Sequence, residues 1–288
     1  MRTLAADISS VLKLRIGVAI TLTALVGLVV TPGPATPAWK AALLAACVLA
    51  SSGSAGAFNQ IVECKLDARM ERTRDRPFVR GTFHAGPAWY VGILLLLALA
   101  VGAAAICLGG MAALYVFLGA FVYGIVYTVW LKQRSMLNIV IGGLAGSFAV
   151  LAGSAVVEPL PSITPLLLAL ALLLWTPPHF WSLAMVAHAD YARAGVPMLP
   201  VVVGDRAAAW VILAHTAALI AVSLLPAAYG LGPVYLAFAV AGGGYFLWRS
   251  VLLVHSPGRA TAMANFHASL IQLGLMLLGG LLDRAFSF

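Results

Sequence analysis

Charge is what this sequence lacks. Only 9% of its 288 residues are Asp, Glu, Lys or Arg, against about a quarter in an ordinary soluble domain. A water-facing globular surface cannot be built from so few. Acid is scarcer still, with nine Asp and Glu against 17 Lys and Arg and a net charge of +8. Cysteine is limited to Cys47, Cys64 and Cys107, which form no C-x-x-C pair and have no metal-ligand spacing, so neither a disulfide framework nor a zinc site is encoded. Period-two alternation is also missing, which excludes a transmembrane β-barrel. No soluble segment is long enough to carry a nucleic-acid-binding face, so the basic excess points to phosphorylated small substrates or anionic lipid instead.

What is abundant is apolar sequence, 62% of the residues, with a mean hydropathy of +1.02. A helical membrane span needs about 20 mostly apolar residues. Nine such stretches fall near 16–31, 41–61, 87–107, 111–130, 138–157, 163–186, 207–226, 232–251 and 266–282, and predict an all-α integral membrane protein forming one polytopic domain over 1–288. With the N-terminus inside, one set of loops holds Arg2, Lys13, Arg15, the six basic residues from Lys65 to Arg80, Lys132, Arg134, Arg193, Arg206, Arg249 and Arg259, and the other only Lys40 and Arg284. A split of 15 against 2 satisfies the positive-inside rule and places the N-terminus in the cytoplasm and the C-terminus opposite. Arg2, Lys13 and Arg15 before an apolar run resemble a signal peptide, but eight later spans favour a retained first helix.

Seven of the nine acids lie on the basic side, which also carries the two long connections, 62–86 and 187–206. These follow the second and sixth spans, four helices apart, a spacing that suggests duplication of a four-helix unit.

Four of the acids stand at four-residue intervals, Glu63, Asp67, Glu71 and Asp75, after Asn59 at the end of an apolar run. Each four-residue step on an α-helix turns 400°, so Asn59, Glu63 and Asp67 drift by only about 80° over about 12 Å and face one side. An amide with two carboxylates is a hard-oxygen set suited to Mg²⁺, which takes one or two carboxylates and completes its octahedron with water and substrate phosphate. Carboxylates inside a membrane cost about 2.5–3.5 kcal/mol each on insertion scales, which makes a functional role the default there. Glu71 and Asp75 lie deeper in the basic loop and read as charge balance for Arg69, Arg72, Arg74 and Arg76. The same arginines offer forks for phosphate oxygens, so acids and arginines together read as a metal-bridged diphosphate site. Further on, Pro177 and Pro178 are expected to break the sixth span and free backbone carbonyls beside His179, while Gly142, Gly143, Gly146 and Gly153 read as small-residue helix packing.

The segment Asn59-Gln60-Ile61-Val62-Glu63-Cys64-Lys65-Leu66-Asp67, continuing through Arg72, Arg76 and Pro77, resembles the first acidic motif of the UbiA-type intramembrane prenyltransferase superfamily, and within it the protoheme IX farnesyltransferase branch. Tyr127-Thr128-Val129-Trp130-Leu131-Lys132, with Arg134, Asn138, Gly142 and Gly143, resembles that branch's pattern after the fourth span. Trp175-Thr176-Pro177-Pro178-His179-Phe180-Trp181, with Asp190, Tyr191 and Pro197-Met198-Leu199-Pro200, resembles its signature at the sixth span and the following loop. The resemblance implies nine helices in a horseshoe around a cavity in a bacterial inner membrane. It implies that Asn59, Glu63, Asp67 and Asp190 serve Mg²⁺ and catalysis, that Arg72, Arg76, Lys132 and Arg134 hold a diphosphate, and that His179 and Tyr191 line an acceptor pocket. The substrates it implies are farnesyl diphosphate and haem B, with haem-modifying or terminal-oxidase maturation proteins as neighbours. Glu63 stands where that family more often has Asp, and no Pro-Pro pair follows Gly146. A phenolic or quinone acceptor therefore stays open, as does a transporter using the same acids as a cation site, although a cation path is poorly served by the adjacent arginines.

Overall fold

The computed structural model describes residues 3–286, so Arg2 lies outside the described residues. The described chain is helical throughout: α1 (Leu4–Val11), α2 (Leu14–Val30), α3 (Ala38–Val62), α4 (Cys64–Asp67), α5 (Pro87–Cys107), α6 (Gly110–Phe121), α7 (Asn138–Gly142), α8 (Leu144–Val157), α9 (Ile163–Val186), α10 (His188–Ala194), α11 (Leu199–Val203), α12 (Asp205–Leu224), α13 (Pro233–His255) and α14 (Arg259–Phe286). A π-helical segment, Val122–Leu131, extends α6, and a 3₁₀ turn, Leu225–Ala228, ends α12. Eight helical stretches are long and apolar enough to cross a membrane, and α1 with α2 form a further candidate bent by 51°. Large apolar side chains face outward on α5, as at Ile106, 86% exposed, where lipid replaces water.

Two groups of four long helices pack side by side, α3, α5, α6 and α8 in one and α9, α12, α13 and α14 in the other. Helices α8 and α9 join them, and α2 touches α3, α8, α9 and α14. Between apolar helices in lipid, association depends on close packing rather than on hydrophobic burial. The α2–α8 contact meets that need with glycine: a Cβ on Gly153 would overlap the Ala24 carbonyl, and one on Gly27 would overlap that of Val150. Gly142 and Gly143 likewise accommodate Tyr127 and Thr176, whereas Gly146 faces open space.

The sixth span departs from expectation. Helix α9 runs unbroken through Pro177 and Pro178, so the prolines do not split it. Two lost N–H donors are tolerated because packing against α12 and α14 holds the helix; the Thr176 and Ser182 hydroxyls donate to the carbonyls one turn back, Leu172 at 2.9 Å and Pro178 at 2.6 Å.

The acids at the two membrane faces do different work. On the side with short loops, Asp283 accepts from the backbone N–H groups of Gly232 at 2.6 Å and Tyr235 at 3.1 Å, capping α13, and Glu158 accepts from Ser162 at 2.9 Å beside the start of α9. Both are explained by orphan donors at helix N-termini. On the other face Asp7, Glu63, Asp67, Glu71 and Asp190 each meet a lysine or arginine side chain.

Candidate active site

Helix α3 ends at Val62, yet its register continues. The Glu63 N–H bonds the Asn59 carbonyl at 2.9 Å, and the Asp67 N–H bonds that of Glu63 at 2.7 Å. The four-residue ladder therefore keeps one face into α4, and Asn59, Glu63 and Asp67 are buried at 1%, 2% and 0% exposure. Each meets a cation. Lys132 Nζ donates to Glu63 Oε2 at 2.6 Å, Arg76 Nη1 to Asp67 Oδ2 at 2.5 Å, and Lys13 Nζ to Asn59 Oδ1 at 2.5 Å. Buried ionised groups persist only when paired in this way.

The pairing is incomplete in an informative manner. Glu63 Oε1 and Asp67 Oδ1 are buried without a hydrogen-bond partner. Each carboxylate thus keeps one oxygen for a further positive group, and the donor set of hard oxygens fits Mg²⁺. Among the described residues no three Asp, Glu, His or Cys side chains are gathered as a metal cage.

Lys132 reaches Glu63 from the π-helical extension of α6. Its N–H bonds the Tyr127 carbonyl five residues back, at 2.9 Å, and the Thr128 hydroxyl donates to the Tyr123 carbonyl, also five back, at 2.8 Å. The wider turn brings Tyr123, Thr128 and Lys132 toward the acids: Asn59 Nδ2 donates to Thr128 Oγ1 at 2.9 Å, and Tyr123 accepts from Lys13 at 2.7 Å. Isolated π-helical turns are frequent at functional sites. In the sequence Tyr123 and Lys13 had no place in the site and Thr128 only a place within the motif after the fourth span, since a 3.6-residue period does not align Tyr123 with Thr128 and Lys13 reads as one more inside charge. The usable signal was a lone lysine within an apolar stretch, between Leu12 and Leu14.

The second loop docks beside the first. The Arg72 N–H donates to Asp190 Oδ2 at 3.3 Å and its Nη2 to the Tyr191 hydroxyl at 3.2 Å, while Arg193 pairs with Asp190 at 3.0 Å. Gly195, at φ +69°, ends α10 in a left-handed turn and sends the chain back toward α9. The Tyr127 ring, 5.7 Å below Lys132 Nζ, packs against the cluster that contains Tyr191 and so bridges the two loops. Glu71 pairs with Arg74 at 2.6 Å in solvent, the expected charge balance.

Two candidates stand apart. Arg134 Nη1 donates to the carbonyls of Val129 at 3.0 Å and Trp130 at 2.9 Å, capping its own helix, and no contact joins it to the acids. His179 lies in the α9–α14 contact, its ring stacked against Trp175 and Phe266 at 4.2 and 4.5 Å, with Nδ1 2.7 Å from Ser269 Oγ.

A polytopic helical bundle that buries carboxylates, an amide and cations at the end of a span has the donor set of an integral membrane protein that could hold a metal-bound anion. Comparison with known proteins agrees. The model of the UbiA prenyltransferase family matches residues 20–274. Protoheme IX farnesyltransferase 2 of Paramagnetospirillum magneticum is 57% identical over 94% of both chains, and protoheme IX farnesyltransferase of Alkalilimnicola ehrlichii is 40% identical over 96% of this chain and 92% of its own. A digeranylgeranylglyceryl phosphate synthase shares the fold with a TM-score of 0.81 at 16% identity, covering 97% of this chain and 98% of that one. A UbiA homologue from Archaeoglobus fulgidus bound to DMAPP and Mg²⁺ shares it at 0.70 and 13%, covering 94% and 99%. The chain belongs to the UbiA prenyltransferase family.

Proposed function

We infer that this chain transfers the farnesyl group of farnesyl diphosphate to a vinyl group of haem B, giving haem O in a Mg²⁺-dependent reaction. The observation that carries the diphosphate half is the pair of buried carboxylates, each held by one cation and each with one oxygen unsatisfied. The haem half rests on similarity to the farnesyltransferases named above.

Asn59, Glu63 and Asp67 would hold the ion, and Asp190 would supply a further carboxylate for metal from the second loop. A bound Mg²⁺ neutralises diphosphate oxygens and makes their departure easier. Lys132, Arg76 and Arg72 supply fixed positive charge where the leaving diphosphate gains negative charge, and beside buried carboxylates such preorganised charges act strongly. Arg134 stays outside this set because its donors serve carbonyls. As the C1–O bond breaks, the electron pair leaves with diphosphate and an allylic cation remains. The haem vinyl group attacks C1, and water captures the resulting cation and loses a proton, leaving a hydroxyethylfarnesyl side chain. Tyr191, held by Arg72, stands on the acceptor side. His179 has Nδ1 committed to Ser269, so contact with haem would fall to Nε2.

The reading includes nine spans in a horseshoe, with α1 and α2 as one bent span, in a bacterial inner membrane with the N-terminus and the site cytoplasmic. The charge split and the lipid-like exterior support that placement. Purified protein given farnesyl diphosphate, haem B and Mg²⁺ should yield farnesylated haem by mass spectrometry. Prenylation of a phenolic acceptor without modified haem would overturn the acceptor assignment, and solute flux in liposomes without diphosphate release would indicate transport instead.

A further inference from the structure

Helix α1 is too short to span a membrane and carries an acid, Asp7, that is only 4% exposed. An acid near the start of a helix ordinarily serves that helix's own N-terminus from the surface. Asp7 instead accepts from Arg80 Nη2 at 2.7 Å, across 73 residues of sequence. Two further contacts fasten α1 to the site's framework, and a backbone break follows them. Gln60 Nε2 donates to the Ser10 carbonyl at 2.6 Å, Val11 packs in one cluster with Phe78, Ala57 and Ile61, and the chain then breaks at Lys13, the one described non-glycine residue with positive φ, at +50°. Such strain persists only where the surroundings enforce it.

Arg80 lies one turn beyond Arg76. Its N–H bonds the Arg76 carbonyl at 2.9 Å, so Arg76 and Arg80 sit at the two ends of a single turn. Arg76 holds the catalytic carboxylate Asp67. Arg80 has no contact with Asn59, Glu63 or Asp67, and its described partner is Asp7. The middle of this turn is anchored by Phe78, buried against Val11, Ala57 and Ile61, and its far end, which carries Arg80, is held by the buried carboxylate of Asp7.

We propose that Asp7 and Arg80 are positioning residues for the diphosphate site: their ion pair fixes the turn 76–80 and thereby aims the Arg76 guanidinium. This rests on the diphosphate reading above. Misplacement of a binding group by about 1 Å can cost a factor of about a hundred, and a loosened turn that still samples the correct position should cost about tenfold. The probe is inorganic pyrophosphate with Mg²⁺, titrated calorimetrically into the purified full-length protein. Asp7→Asn and Arg80→Gln should each weaken binding about tenfold and raise KM for farnesyl diphosphate while leaving KM for haem unchanged. The exchanged pair, Asp7→Arg with Arg80→Asp, should recover affinity to within about threefold. Asp7→Glu, which retains the carboxylate, should recover it as well if the exchanged pair does not fold. Single variants that bind pyrophosphate within about twofold of wild type, or that raise both KM values together, would overturn the positioning role. Wild-type protein that binds no pyrophosphate would instead overturn the diphosphate reading, and the proposal with it.

Discussion

Replacing Lys132 by Met tests whether the site is built to be completed by a positive ion. Lys132 Nζ is the described partner of Glu63, at 2.6 Å from Oε2, and Oε1 has none. The Glu63 side chain is 2% exposed and that of Lys132 10%, so water cannot take over. Removing one partner of a buried pair costs about 3–5 kcal/mol. Methionine keeps most of the volume, so little of the loss is a cavity. We expect the lower end, about 3 kcal/mol or roughly a hundredfold in the folding equilibrium, because Lys13 and Arg76 also surround the site. Equilibrium unfolding in detergent, followed by circular dichroism, measures the loss. Glu63→Gln in the same chain should restore most of it, since the uncompensated charge is then gone. Mg²⁺ without pyrophosphate should stabilise Lys132→Met more than wild type, because it brings positive charge back to Glu63 without calling on the lysine that would hold the diphosphate. The reasoning is refuted if the single variant loses less than about 1 kcal/mol, or if the double variant loses the sum of both single losses.

Asp67→Asn should lower turnover by at least about a hundredfold while leaving the protein inserted and folded, judged by its size-exclusion profile; unchanged turnover would remove Asp67 from the metal site. Arg134→Ala should cost about 0.3–1 kcal/mol through the lost helix C-cap and leave KM for farnesyl diphosphate unaltered, in contrast to Lys132→Met. Gly153→Val should destabilise by about 1–3 kcal/mol or more, because the added atoms meet the Ala24 backbone rather than a side chain that could rotate away; unfolding curves of the two proteins decide it.

Apolar spans and the Asn59–Glu63–Asp67 ladder were legible because each depends on local periodicity or on composition. A run of apolar residues becomes a helix in lipid whatever its neighbours do, and i to i−4 hydrogen bonds carry the ladder's register past the end of α3. Long-range choices were not legible in this way. Lys13, Arg76 and Lys132 are three cations among 17 basic residues, and which of them face the acids depends on a left-handed break after α1, on a loop held in place by Asp7, and on five-residue turns after α6. Arg134 lies two residues from Lys132 and turns back to its own helix, a distinction that spacing alone does not contain. The prolines of α9 were expected to break it, yet packing by α12 and α14 holds it continuous. Where the carboxylates stand relative to the apolar spans follows from hydropathy and helix geometry, both carried by local sequence. Which cations meet them and which oxygens stay unpaired emerges from the folded chain, because pairing of buried charge is settled by distances between helices remote in sequence.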